Sequence, residues 1–140
     1  MHPTTSAYTI HKRLFLVMNT KDNPGDEEWG EYVDFAIKNQ AHISSTMIIT
    51  EGGGPNTMQR GMMNDRLEAK GLKQKVAVVT LSRLARGIVT ALSWFNPNVR
   101  AFSTSQIPAA LAYLEIPATD HEGVMQEIRR LRLKLKLPPM

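Results

Sequence analysis

Hydrophobic positions along this chain switch repeatedly between short unbroken runs and spaced stripes. The clearest case is KVAVVTLSRLARGIVTALSWFN at residues 75–96. Val76, Ala77, Val78 and Val79 form a β-branched run without helical gaps, which predicts a strand buried on both faces of a parallel sheet. The strand ends at Thr80 to Ser82. Leu84, Ile88, Ala91, Leu92 and Phe95 then recur at helical spacing, Ser82 stands where its hydroxyl can accept from the first free amides, and Asn96-Pro97 stops the helix. Such a strand, turn and helix is one half of a βαβ unit. Its loop falls at the carboxyl end of the strand, where open α/β sheets place their sites.

The same alternation runs through the rest of the chain. Leu14 to Met18 predicts a first strand, with Tyr8 and Ile10 as an earlier, separately paired piece. After the turn KDNPGD, Asp26 is an N-cap, Glu27 and Glu28 suit the first turn, and the stripe Trp29, Tyr32, Val33, Ala36, Ile37, Gln40 predicts a helix over 26–40, wedged onto the sheet by Trp29. Ile43 to Thr50 is the second strand and runs into EGGGPN. The next helix, over 56–70, has a thin methionine-rich face (Met58, Met62, Leu67) and Gly71 as its cap. Val99 to Ser103 is a last short strand. Gln106 to Leu114 is a helix with Ile107, Ala110, Leu111 and Leu114 inward and Pro108 in its first turn, and Pro117 breaks it. From about 120 to 136, Val124, Ile128, Leu131 and Leu135 share a helical face, although LRLKLKL also alternates like a strand. Together these predict a three-layer α/β domain with helices on both faces of a mostly parallel sheet of four or five strands. Its expected core order is 2-1-3-4, counted from the strand at 14–18, because right-handed crossovers on both sides of a first strand cover both faces.

At 140 residues the chain fits one domain that needs no staples, and with no cysteine it has no disulfide, thiolate nucleophile or Cys-ligated metal. Its first residues carry no apolar core of signal-peptide length, and no run approaches the ~18 apolar residues of a membrane span. A cytoplasmic protein is expected. The net charge of +4 is concentrated late: residues 119–137 form a basic amphipathic helix carrying Arg129, Arg130, Arg132, Lys134 and Lys136 against Asp120, Glu122 and Glu127. No interleaved aromatic, zinc motif or helix-turn-helix accompanies it, so it reads as a solvated helix face rather than a nucleic-acid surface. An apolar stripe on that helix left uncovered by the monomer would make the chain a homo-oligomer.

Candidate chemistry gathers at two strand ends. Gly52, Gly53 and Gly54 with Pro55 lie between a strand and a helix, where backbone amides can cradle an anion; the plain alternative is a sharp turn. The stretch lacks both the Gly-Lys-Ser/Thr ending and the GxGxxG spacing of nucleotide loops. Glu51, Asn56 and Arg60 flank it. Ser82, Arg83 and Arg86 begin the later helix, where the macrodipole disfavours cations by a few tenths of a kcal/mol, so the arginines suit an anion or acidic partner, or else plain solvation. The four histidines are far apart, there is no GxSxG elbow, and no carboxylate pair falls at a strand end. No catalytic residue, metal or cofactor is therefore assigned.

EEWGEYV, TEGGGPNTMQR, VAVVTLSRLARGIVTALSWFNPNVRAF and IPAALAYL, spread over residues 8–116, resemble small uncharacterised bacterial proteins of the STAS-like family, named for sulphate transporters and anti-sigma-factor antagonists. The resemblance implies a STAS-like fold and a non-enzymatic regulatory or scaffolding module. Its implied partner is another protein, such as a kinase, a regulator or a scaffold component, bound around the helix after a central strand. It also implies phosphorylation of a Ser or Thr at such a helix start, here Thr57 or Ser82, although the family's Asp-Ser phosphosite pattern is absent. Two readings follow: a protein-interaction domain using residues 50–57 and 81–87, or a binder or weak enzyme holding a nucleotide or other small anion at the glycine turn.

Overall fold

The computed structural model describes residues 4–66, 74–93 and 97–140, with the side chains of 91–93 left aside. Expectations placed on Leu67, Gly71, Phe95 and Asn96, and on the side chains of Ala91 and Leu92, lie outside the described residues.

Five strands, β1 (Ser6–His11), β2 (Leu14–Asn19), β3 (Ser45–Thr50), β4 (Lys75–Val79) and β5 (Val99–Phe102), form one sheet in the order β1-β2-β3-β4-β5. Tyr8 and Ile10 belong to β1, which pairs antiparallel with β2 through a tight turn at Lys12-Arg13; every later pairing is parallel. The expected 2-1-3-4 order is therefore wrong: β3 lies between β2 and β4. A sheet reverses its order so that crossover helices reach both faces. Here the second face is covered by the helices after β5, so no reversal is needed.

Helices α1 (Asp26–Lys38), α2 (Thr57–Arg66), α3 (Arg83–Ser93), α4 (Ile107–Tyr113) and α5 (His121–Lys134) complete the described fold. Leu14, Leu16 and Met18 face α4 and α5, together with Met47, Ile49, Ala77 and Val79. Phe15 and Val17 face the other way, against Trp29, Tyr32, Val33 and Ala36 of α1. Burying a large apolar side chain is worth about 1.5–3 kcal/mol, so β2, buried from Leu14 to Met18, anchors both layers.

The doubly buried strand is thus β2 and not β4. Ala77 and Val79 are buried, but Val76 and Val78 are half-exposed, as are Val99 and Ala101 beside them in register. Two helices also sit differently from their patterns. On α2, Met58 points into solvent (86% exposed) and Met62 is exposed, while Gln59 and Met63 turn inward. On α3, Leu84 (77%) and Ile88 (51%) are exposed, and Ala85, Arg86 and Val89 take the half-buried side. The final helix follows its pattern, with Val124, Ile128 and Leu131 in the core and Leu135 packed against it.

Ile128→Ala should lower unfolding free energy by about 2–5 kcal/mol, whereas Leu84→Ala should change it by no more than about 0.5 kcal/mol. Urea denaturation followed by circular dichroism measures both, and equal losses would contradict the packing described.

Tyr32 is buried against Trp29 and Phe15, and that burial, with a smaller contribution from Tyr8, raises its pKa far above the usual value near 10. The folded state keeps this proton where the unfolded chain releases it. Stability is therefore fully present below pH ~10 and falls as pH rises beyond it. In an alkaline titration at 295 nm, Tyr32 should ionise only as circular dichroism reports unfolding; complete ionisation of all three tyrosines in a native-like protein would refute this.

Candidate functional site

The register places the ends of β3, β4 and β5 side by side, with Ile49 opposite Val79 and Val79 opposite Phe102. Three neighbouring strands each close on a threonine whose hydroxyl accepts the amide two residues on: Thr20 from Asp22 (3.2 Å), Thr50 from Gly52 (3.0 Å) and Thr80 from Ser82 (3.1 Å). Such turns are a local alternative to extending the strand. They bring the two sequence-predicted loops, 51–56 and 80–82, to one edge.

The glycine loop is built inward. The amides of Glu51 and Gly53 donate to the carbonyls of Asn19 (3.0 Å) and Thr20 (2.9 Å), and the Thr50 hydroxyl donates to the Gly53 carbonyl at 2.6 Å. A Cβ on Gly53 would stand 2.3 Å from the Asp22 carbonyl oxygen and 2.5 Å from that of Thr20, and Gly52 and Gly54 take φ of 128° and 155°. The glycines therefore serve a turn pressed against residues 20–22. The amides of Glu51, Gly52 and Gly53 are already engaged, which leaves an anion little of the expected cradle.

Glu51 turns out to be half of an ion pair. Its Oε1 accepts from Nη2 of Arg132 at 2.6 Å, while Arg132 Nε donates to the Pro138 carbonyl (2.5 Å) and Nη1 lies 3.5 Å from Met18 Sδ. The Arg132 side chain is only 6% exposed, so the expectation of a wholly solvated basic tail fails there. Arg129 and Arg130, by contrast, pair on the surface with Glu122 and Glu127. The helical face that holds Ile128 and Leu131 carries Arg132 to the sheet edge. Its place four residues after Ile128, on the apolar face, is the local signal that separates Arg132 from Arg129 and Arg130.

Asn56 and Gln59 form a reciprocal cap at the start of α2: Asn56 Oδ1 accepts the Gln59 amide (2.8 Å) and Gln59 Oε1 accepts that of Asn56 (3.0 Å). The buried Gln59 also donates through Nε2 to the Pro24 carbonyl and Asp26 Oδ1, both at 3.0 Å, and its carbonyl accepts the Trp29 indole N–H at 2.7 Å. These bonds rotate α2 and leave Met58 and Met62 outside. Gln59 was overlooked among the candidate residues, although its spacing of three from Asn56 is a capping-box signal.

Thr57 is exposed, and its hydroxyl accepts from Arg60 Nη2 at 3.1 Å; Arg60 Nη1 also donates to the Pro55 carbonyl. Ser82 is half-buried and caps α3, its hydroxyl accepting the Ala85 amide at 3.1 Å. Arg83 is exposed and Arg86 half-buried, and among the described residues neither guanidinium makes a hydrogen bond or ion pair, with the glycine loop or anything else. The edge thus presents two uncommitted arginines beside the exposed Leu81, Leu84 and Ile88.

No family model matches the chain, and no curated protein matches it. Among solved structures it is similar to the crystal structure of an uncharacterized protein of the DUF3478 family, with a SpoIIAA-like fold, from Shewanella loihica PV-4. The TM-score is 0.58 at 17% identity, over 81% of this chain and 98% of that one. The chain therefore has the SpoIIAA-like, or STAS-like, fold that its sequence motifs resemble. No helix among the described residues is long and apolar enough to cross a membrane.

Gly53→Ala should cost about 2 kcal/mol or more, because backbone rather than a movable side chain meets the new methyl. Gly87→Ala, in open space within α3, should stabilise by about 0.5–1 kcal/mol. Removing one member of a buried ion pair costs about 3–5 kcal/mol; Glu51→Gln should cost less, since a third of the Glu51 side chain meets solvent. Chemical denaturation of the three variants reads all of these, and a neutral Gly53→Ala would overturn the account of the loop.

Proposed function

We propose that this protein is a non-enzymatic regulatory or scaffolding domain of STAS-like type that docks another protein on the α3 side of the carboxyl edge. The observation that carries this reading is the exposure of Leu81, Leu84 and Ile88, with Arg83 and Arg86 unpaired among the described residues nearby. A helix that turns Leu84 and Ile88 to water, beside a half-covered sheet face, has surface to gain from a partner at roughly 25 cal/mol per Å² buried. Met58 and Met62 on α2 add adaptable apolar surface.

Phosphorylation is the proposed switch, and Thr57 suits it better than Ser82. Thr57 is exposed at a helix N-terminus with the Arg60 guanidinium at its hydroxyl, so an added phosphate meets a cation and the positive end of a helix. The Ser82 hydroxyl already caps α3. The alternative, a small anion held by the glycine turn, has less support because three of its amides are engaged.

Affinity capture from the native cell, followed by mass spectrometry, should recover a protein that a Leu84→Asp/Ile88→Asp variant with native circular dichroism fails to retain. Thr57→Glu should change that retention and Ser82→Ala should not. Equal capture by wild type and the double variant would sink the proposed surface. A co-purified nucleotide with no protein partner would favour the glycine turn instead.

A further inference from the structure

The opposite edge of the sheet carries a feature unrelated to that surface. Where β2, β3 and β4 begin, the chain opens into a groove of about 540 Å³, within the size range of small-molecule sites. Its accessible apolar surface comes from Ile116 and Pro117, backed by the buried Leu14, Leu114 and Val124. Its rim is cationic, made by Lys12 and Arg13 from the hairpin turn and Lys75 from the start of β4.

The three cations are not equally committed. Lys12 is tied to Asp120. Arg13 is exposed; its Nε donates to Ser44 Oγ at 2.6 Å and its Nη2 to the Ala41 carbonyl at 3.3 Å, while Nη1 makes no hydrogen bond among the described residues. Lys75 Nζ stands 3.6 Å from Glu115, beyond hydrogen-bond distance, and 5.3 Å from the Tyr113 ring centroid. Two cationic heads with spare capacity therefore overhang that apolar surface, with Ser44 and Ser45 between them.

The groove is also held open. The Lys12–Asp120 pair links the hairpin turn to the lead of α5, and the His121 ring nitrogen Nε2 lies 3.0 Å from the Ile116 carbonyl on the far wall. Lys12 and Glu115, on opposite walls, both take left-handed backbone conformations, at φ 57° and 62°. His11 lines the groove against α5 only because position 123 is glycine: a Cβ there would stand 2.9 Å from His11 Nε2.

We infer that this groove binds a small amphipathic anion, with a compact apolar body against Ile116 and Pro117 and a single phosphate or carboxylate head held by Arg13 and Lys75. Among the described residues the groove lining holds no Phe, Tyr or Trp, and its apolar part is aliphatic, which suits an aliphatic body. With Lys12 offset by Asp120, Arg13 and Lys75 against Glu115 leave the described lining net positive, which suits an anionic head.

The test is a titration of octyl phosphate, below its micelle concentration, into the ¹⁵N-labelled full chain. Amide shifts at Lys12, Arg13, Ser44, Lys75 and Ile116 should saturate together, while inorganic phosphate alone and octanol alone bind about tenfold more weakly or worse. Arg13→Glu/Lys75→Glu, at an exposed and a half-buried position, should weaken octyl phosphate by about tenfold or more, and Leu84→Ser/Ile88→Ser should leave it unchanged. Sedimentation with phosphatidic acid vesicles distinguishes the source: protein left in the supernatant supports a free amphiphile, and co-sedimentation lost in the Arg13/Lys75 variant supports a lipid in the same groove. Shifts confined to α3, an unsaturable response, or equal binding by the charge-reversed variant would overturn the assignment.

Discussion

The sheet never reverses its order, and most of what distinguishes this molecule depends on that constraint. Successive parallel strands joined by right-handed crossovers advance in one direction and send their helices to one face. The opposite face, carrying Leu14, Leu16, Met18, Met47 and Ile49, would meet water unless chain beyond the last strand returned to cover it. Helices α4 and α5 do so. The C-terminal helix is consequently part of the core, and Val124, Ile128 and Leu131 are as buried as the strands beneath them.

That return decides the character of both sheet edges. At the carboxyl edge, α5 delivers the Arg132 guanidinium under the loop after β3, where Glu51 neutralises it. Without an order reversal there is no crevice between diverging crossovers of the kind that receives ligands in doubly wound sheets. The threonine turns and the glycine loop close the edge on itself instead. At the amino edge, the connection from α4 to α5 stands away from the hairpin turn, and the space between them becomes the groove lined by Lys12, Arg13 and Lys75. The sheet is thus shut where open α/β folds are usually open.

The face that bears α1 shows the converse. Over β2 it is tightly packed by aromatic contacts, Trp29 stacking on Tyr32 at 4.7 Å and Tyr32 on Phe15 at 5.6 Å. Over β4 and β5 it is half-covered. There α2 is rotated by the hydrogen bonds of Gln59, and α3 turns Ala85, Arg86 and Val89 inward rather than Leu84 and Ile88. A buried amide must be satisfied, at about 1–3 kcal/mol if it is not, whereas an exposed Met forgoes a gain of similar size. Polar satisfaction settled the rotation of α2, and Met58 and Met62 were left at the surface.

Local periodicity was enough to place every described strand and helix to within a few residues, to orient α1, α4 and α5, to name Trp29 as a wedge and Ser82 as a cap, and to suggest the fold through its motifs. These features are written in neighbouring side chains, because period, capping and turn chemistry act over a few residues. Strand order, the outward roll of Leu84 and Ile88, the pairing of Arg132 with Glu51 and the joining of His11, Lys75 and Ile116 around one groove belong to the tertiary structure alone. Each depends on which face of the sheet remained to be covered and on which distant polar group needed a partner. Those are long-range requirements, and no window of local sequence contains them.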